Sequence, residues 1–241
     1  MNNKIALITG ANKGIGKEIA RQLGEAGYTV LIGARDLARG EAATKELVAD
    51  GIKAATIQLE VTDPASTRAA AAAIDAEYGL LDVLINNAAI IPEGDAGVTE
   101  IAADVLRAGF ETNVIGLVNV TNALLPVLRK APAARIVNLS TSLASFTLVG
   151  DPESRMSTVK TLGYNSSKAA VNMVTVMLAN ELRGSGILVN AADPGNCATD
   201  MGGWDAGRTP AQGAAVAVRL ATLDADGPTG EVHAEEGRLP W

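Results

Sequence analysis

The sequence predicts an α/β fold in which a parallel sheet carries helices on both faces. Three observations lead there. Short apolar runs alternate with longer amphipathic stretches from one end of the chain to the other. The runs are continuously apolar, as strands covered on both faces must be. Apolar residues make up 48% of the chain but aromatics only 3%, so Ala, Val, Leu and Ile fill the core, which suits close helix-on-sheet packing.

Taken in order, the strands are "IALIT" (5–9), "TVLIGA" (29–34), "AATIQL" (54–59), "LDVLIN" (81–86), "RIVNL" (135–139) and "ILVNAA" (187–192). The helical stretches that follow them are 14–26, 37–50, 64–78, 99–129, 162–184 and 210–222. A strand that returns to the sheet in the same direction needs such a crossover, so repeated βα units imply parallel pairing. The C-terminal "TGEVHAEEGRLPW" has room for one last short strand. No linker or composition shift interrupts the series, so residues 1–241 are expected to form one domain. The least periodic segment is 150–163, "GDPESRMSTVKTLG", an insertion ahead of the fifth helix.

Composition excludes several functions. A formal charge of -7 with no basic run argues against nucleic-acid binding. The single cysteine, Cys197, forms no intramolecular disulfide and fits a reducing compartment. The one histidine, His233, has no cysteine cluster around it, which removes Cys/His zinc sites and a His-centred triad, so no metal is expected. No stretch approaches a membrane span and the N-terminus is no signal peptide, so the expectation is a soluble, cytoplasmic protein with no membrane partner.

Two stretches carry chemistry. In "LITGANKGIGKEIA", Gly10, Gly14 and Gly16 lie between the first strand and the first helix. Glycines there allow a sharp turn and close approach to a pyrophosphate, which the helix N-terminus attracts. The spacing is G-x-x-x-G-x-G, not the common G-x-G-x-x-G. The second strand ends "LIGARD", with Arg35 where a carboxylate would meet the ribose 2′-hydroxyl of NAD. A guanidinium matches a 2′-phosphate, and Lys13 and Arg39 add charge on the same side, so NADPH is favoured, with Asp36 keeping NADH open. Further on, "YNSSK" sets Tyr164 and Lys168 four residues apart on one helix face. An ammonium beside a phenol favours phenolate and lowers the tyrosine pKa, which suits proton exchange with a carbonyl or alcohol.

With these, "TGANKGIG" (9–16), "NNAA" (86–89), "TNVIG" (112–116), the hydroxyls of "LSTS" and "DPGNCAT" (193–199) follow in an order that resembles the short-chain dehydrogenase/reductase family over essentially the whole chain. "ARD" after the second strand and the closing "LPW" further resemble its NADPH-dependent carbonyl-reductase branch. The resemblance implies a doubly wound, seven-stranded parallel sheet with the cofactor across the C-terminal strand edge. It implies Tyr164 as general acid, Lys168 as its electrostatic and ribose-binding partner, and Asn113 as holder of a water in the proton relay. It places Gly10, Asn12, Lys13, Gly14, Ile15, Gly16, Arg35, Glu60, Val61, Asn87, Ala88, Ala89, Pro194, Gly195 and Thr199 along the cofactor.

Three departures stand out. Ala89 replaces a glycine, and Glu60 stands where an aspartate commonly meets the adenine amino group. Thr141 stands where the catalytic serine is usual, although a one-residue bulge would hand that task to Ser142, with Ser140 behind both. The 23-residue step from Thr141 to Tyr164 exceeds that of most relatives and leaves oligomeric state open between monomer and homo-oligomer. Phe146, Leu148, Met156, Met201 and Trp204 are candidate apolar walls for a small carbonyl or alcohol substrate. The function expected is reversible carbonyl reduction with NADPH. Its rivals are an NAD-dependent alcohol dehydrogenase and a non-catalytic NADP(H) sensor.

Overall fold

The computed structural model describes residues 4–241. Seven parallel strands and one antiparallel strand form a single sheet in the order β3-β2-β1-β4-β5-β6-β7-β8. They are β1 (Ile5–Thr9), β2 (Thr29–Ala34), β3 (Ala54–Gln58), β4 (Val83–Asn86), β5 (Arg135–Leu139), β6 (Leu188–Ala192), β7 (Val232–Ala234) and β8 (Gly237–Arg238). The sequence anticipates a seven-stranded parallel sheet. The eighth strand arises because Glu235 and Glu236 turn the chain back, pairing His233 with Arg238.

The helices are α1 (Gly14–Glu25), α2 (Leu37–Ala49), α3 (Pro64–Tyr78), α4 (Ala103–Phe110), α5 (Gly116–Leu128), α6 (Phe146–Gly150), α7 (Leu162–Glu181) and α8 (Pro210–Ala221). Several start where local chemistry dictates. Asp36 accepts the Arg39 N–H, Asp63 accepts that of Ala65 ahead of Pro64, and Thr209 with Gln212 forms a capping box. The stretch 99–129 is not one helix. A π-helical turn at Glu111–Ile115 separates α4 from α5, with the Gly116 N–H reaching back to the Glu111 carbonyl. The segment 150–163 is partly ordered too, with a 3-10 turn at Arg155–Thr158 before α7.

Strand alternation divides the core in two. Ile5 and Leu7 of β1 face the layer built by α3, α5 and α7, where Ile74, Val120, Leu124 and Leu182 are buried. Ala6 and Ile8 face α1, α2 and α8, where Ile19, Leu23, Leu47 and Leu220 are buried. Both sheet faces are therefore dry, which explains the unbroken apolar strands. One polar chain crosses the interior: Asn86 donates to Thr121 (3.0 Å) and Asn138 (2.9 Å), and Asn138 donates to Thr175 (2.9 Å). Every link is satisfied, so these side chains tie β4 and β5 to α5 and α7 without an orphaned polar group.

Strand order reverses between β1 and β4. Crossovers run one way from β1 through β2 to β3 and the other way from β4 onward, which opens a crevice at the C-terminal strand ends.

Candidate active site

The loops that leave β1, β4, β5 and β6 at that edge hold most of the residues singled out from sequence. After β1, Gly10 and Gly14 adopt left-handed φ values of 64° and 57°. Gly16 is needed for space: a Cβ there would lie 2.5 Å from the Asn87 amide nitrogen and 2.9 Å from the Gly10 carbonyl. That amide donates to the Thr9 carbonyl at 2.8 Å, and the Thr9 hydroxyl accepts the N–H groups of Asn87 (3.0 Å) and Ala88 (2.9 Å). Thr9 thus stitches the glycine turn to the "NNAA" turn, a role no spacing announces.

This cradle fits a dinucleotide. Unlike α2, α3 and α8, α1 begins with no side-chain cap: Lys13 is extended and caps nothing, so the first-turn N–H groups face the glycine turn without a side-chain acceptor. Asn12 and Ile15 are half-buried in the same turn. Val61 is buried and would be 2.8 Å from a Cβ at Gly116, which holds α5 against the β3 end. Glu60 accepts the Thr62 N–H (3.1 Å) and hydroxyl (2.9 Å) through one carboxylate oxygen. Ala89 is half-buried beside these turns.

The charges at this end are arranged differently from their expected grouping. Lys13 is ion-paired with Asp200, from the loop after β6, and Arg39 with Asp36 at 3.4 Å. Asp36 is occupied as the α2 cap. Arg35 is exposed and forms no ion pair among the described residues.

The reactive end is built on α7. Tyr164 is half-buried, Lys168 is 3% exposed, and the Lys168 ammonium sits 5.8 Å from the Tyr164 ring centroid. Lys168 donates to the Leu139 carbonyl at 2.6 Å, which fixes it at the end of β5. Burial pushes the Lys168 ammonium down to about 8 from an ordinary 10.5. The expected lowering of the Tyr164 pKa is not what the structure shows: burial pushes the phenol up, and the Asp193 charge adds to it. At 5.8 Å from the ring, and committed to Leu139, the ammonium does not overcome burial. The Tyr164 phenol is therefore protonated at neutral pH.

Asn113 lies in the π-helical turn, 1% exposed. Its carboxamide accepts the Ile90 N–H at 2.8 Å and donates to the Ile90 carbonyl and the Ser167 hydroxyl, both at 2.9 Å. It makes no direct bond to Lys168; it pins the loop after β4 to α7.

The hydroxyls separate by environment. Ser140 is 2% exposed and bonds Asn172 at 2.6 Å in the interior. Thr141 follows β5 in an extended conformation (φ -166°, ψ 152°), half-buried, and Ser142 begins a 3-10 turn with its hydroxyl 3.3 Å from the Met156 sulfur. Across the cleft the loop after β6 carries Pro194, Gly195 and Thr199, whose methyl would be 3.4 Å from a Cβ on Gly14.

Two acidic residues escaped the sequence reading. Asp95 accepts the N–H groups of Gly163 and Tyr164, each at 2.8 Å, and so caps α7 from a distant loop where Thr161 provides no side-chain cap. Asp193 accepts those of Ser142 and Gly195, each at 2.9 Å. Apart from Gly195, two residues after Asp193, the partners are far apart in sequence, and no local signal pairs them.

Among the candidate wall residues, Phe146 (79% exposed) borders a cavity of about 590 Å³ on the outer side of α7, with Val98, Leu143, Val149 and Met173. Tyr164 and Lys168 do not line it. Met156 lies against Ser142, Leu148 is half-buried, and Met201 and Trp204 are exposed on the loop after β6. His233 is on β7 with its ring 2.9 Å from Glu231, away from these groups. Among the described residues, no cluster of His, Cys, Asp and Glu is arranged to hold a metal, and no helix is long and apolar enough to cross a membrane.

A doubly wound sheet, a glycine cradle at its switch point and a Tyr–Lys pair on one helix face define a nucleotide-dependent oxidoreductase. The chain belongs to the short-chain dehydrogenase family, whose model matches residues 4–206. It is similar to carbonyl reductase (NADPH) 1 of Sus scrofa, 36% identical over 280 residues covering 100% of this chain and 95% of that protein. It is also similar to the short-chain dehydrogenase anuI of Penicillium roqueforti (strain FM164), 38% identical over 224 residues covering 90% of this chain and 88% of that one. Among solved structures, the NADPH-bound carbonyl reductase from chicken fatty liver superposes with a TM-score of 0.86, at 28% identity and 100% coverage of both chains.

Proposed function

We propose that the protein is an NADPH-dependent carbonyl reductase that converts a ketone or aldehyde to an alcohol, reversibly, with Tyr164 as proton donor. The observation that carries this reading is the buried Lys168 ammonium 5.8 Å from the Tyr164 ring, one helical turn away at the end of β5. NADPH supplies the hydride when bound. Gly10, Gly14, Gly16 and the uncapped start of α1 receive its pyrophosphate, and Arg35 its 2′-phosphate. Asn87, Ala88 and Ala89 pass the ribose, Glu60 and Val61 flank the adenine, and Pro194, Gly195 and Thr199 meet the nicotinamide side.

The substrate carbonyl oxygen accepts hydrogen bonds from the Tyr164 phenol and the Thr141 hydroxyl. The phenol gives up its proton as negative charge develops on that oxygen, and Lys168 stabilises the phenolate left behind. Asn113 holds the Ile90 loop and α7 in register for that transfer. The shared sheet and the two cores on its faces support a single domain across the described residues, and buried Cys197 fits a reducing cytoplasm. NADPH consumption with a panel of ketones, aldehydes and quinones tests the reading. Turnover with NADPH, and its loss in Tyr164→Phe with cofactor binding retained, is the expected result. Tight NADPH binding without turnover of any carbonyl would instead indicate a sensor.

A further inference from the structure

We propose that Asp193 is a positioning residue of this reaction: its buried carboxylate locks the Thr141 turn to the Pro194–Gly195 turn. The inference rests on the reading of Tyr164 as proton donor.

Asp193 is the first residue after β6 and is 5% exposed. Its backbone is fixed on β7, donating to the His233 carbonyl at 2.8 Å. The two carboxylate oxygens are divided between two loops, one on the Ser142 N–H and the other on the Gly195 N–H, each 2.9 Å away. One of those loops presents the Thr141 hydroxyl, and the other the turn that meets the nicotinamide. A single rigid group therefore sets the spacing between the hydroxyl that steadies the carbonyl oxygen and the turn that aligns the hydride donor. Gly195 adopts a φ of 69°, and a Cβ there would meet Arg208 Cδ at 2.8 Å, so this side of the clamp has little freedom.

Burial pushes the Asp193 pKa up from the ordinary carboxylate value, and the two N–H donors and the Arg208 guanidinium act against that shift. Arg208 is itself bonded to Glu235 and to the Gln212 carbonyl. His233 faces Glu231 rather than Asp193. The geometry of the clamp, two loops on two oxygens of one buried group, is what carries the role of Asp193.

The test uses the full chain carrying Asp193→Asn or Asp193→Ala, with kcat and KM measured for NADPH and for the carbonyl substrate. Loss of the clamp is expected to lower kcat about tenfold or more in Asp193→Ala and less in Asp193→Asn, which keeps one acceptor oxygen, while KM for NADPH changes little. Binding of adenosine 2′-phosphate, which needs only the far end of the cleft, stays unchanged and reports that the variants are folded. An unchanged kcat in folded variants, or a fall no smaller in Asp193→Asn than in Asp193→Ala, overturns the proposal. If neither variant folds, Asp193→Glu, which keeps both oxygens but displaces them, decides: wild-type kcat in that variant overturns it. Activity retained in Tyr164→Phe would sink the reading of Tyr164 itself. An unchanged kcat in the Asp193 variants alongside an inactive Tyr164→Phe sinks only the role of Asp193.

Discussion

The Tyr164 backbone N–H donates to the Asp95 carboxylate at 2.8 Å, so the helix that carries the phenol is anchored by a residue sixty-nine positions earlier. Gly163 shares the bond to the other oxygen, and a Cβ on Gly163 would sit 3.1 Å from it. A carboxylate on two orphan N–H groups also meets the positive end of the α7 dipole. Asp95→Ala is expected to cost about 1–3 kcal/mol and a few degrees in melting temperature. Because the first turn of α7 frays, kcat should fall more than the affinity for NADPH. Calorimetry and steady-state kinetics on one preparation check both, and an unchanged kcat would contradict the anchoring role.

Thr141 and Ser142 make a separable pair. Thr141 continues the extended path of β5 with Ser140 directed into the interior, whereas the Ser142 hydroxyl lies against the Met156 sulfur. Thr141→Ala should reduce kcat by roughly 10²-fold, the scale for one donor to a developing oxyanion. Ser142→Ala should cost far less. The reverse ranking would transfer the task to Ser142.

In the proposed reading, Arg35 sets the cofactor preference. With Lys13 bound to Asp200 and Arg39 to Asp36, Arg35 is the cation among the three that forms no ion pair among the described residues. Arg35→Ala should raise KM for NADPH by about tenfold or more while leaving KM for NADH nearly unchanged. Equal losses with both cofactors would rule out contact with the 2′-phosphate.

The role proposed for Lys168 runs against stability. The unfolded chain binds this proton up to about pH 10.5, whereas the folded chain holds it only to about 8. Stability contributed by this group therefore rises with pH between those values, and below pH 8 the penalty is present in full. Lys168→Met should inactivate the protein yet raise its stability at pH 7 by about 1–3 kcal/mol. The advantage should shrink toward pH 10 in denaturant titrations. A variant less stable at pH 7 would show that the bond to Leu139 outweighs desolvation.

Much of the architecture is legible in the sequence because it follows from local chemistry. Apolar runs such as 5–9 and 29–34 are strands within a residue or so, and Asp36, Asp63 and Thr209 mark helix starts by their own side chains. The site is legible where its members share one turn or one helix face, as Gly10 to Gly16 and Tyr164 with Lys168 do. It is not legible where a side chain reaches across loops. Asp95, Asp193 and Thr9 bond to backbone N–H groups fifty or more positions away, and a backbone donor leaves no mark on residue type. The raised Tyr164 pKa was hidden for a related reason: burial outweighs the neighbouring charge that the spacing reveals. The stretch 99–129 reads as one helix because no Gly-Pro turn or loop cluster divides it, and the polar Glu111, Thr112 and Asn113 give no sign that the winding changes there.

That interruption amounts to one surplus residue in a turn. Deleting a single codon within 111–115 would leave a chain able to wind as an ordinary α-helix. Everything on one side of the deletion would then rotate by about 100° relative to the other. Either Asn113 keeps Ile90 and Ser167 while Val120 and Leu124 swing off the sheet, or the core stays packed and Asn113 loses its partners. A one-residue deletion there should therefore be far more damaging than any conservative substitution at the same positions, making 111–115 a stretch whose length is under tighter constraint than its composition.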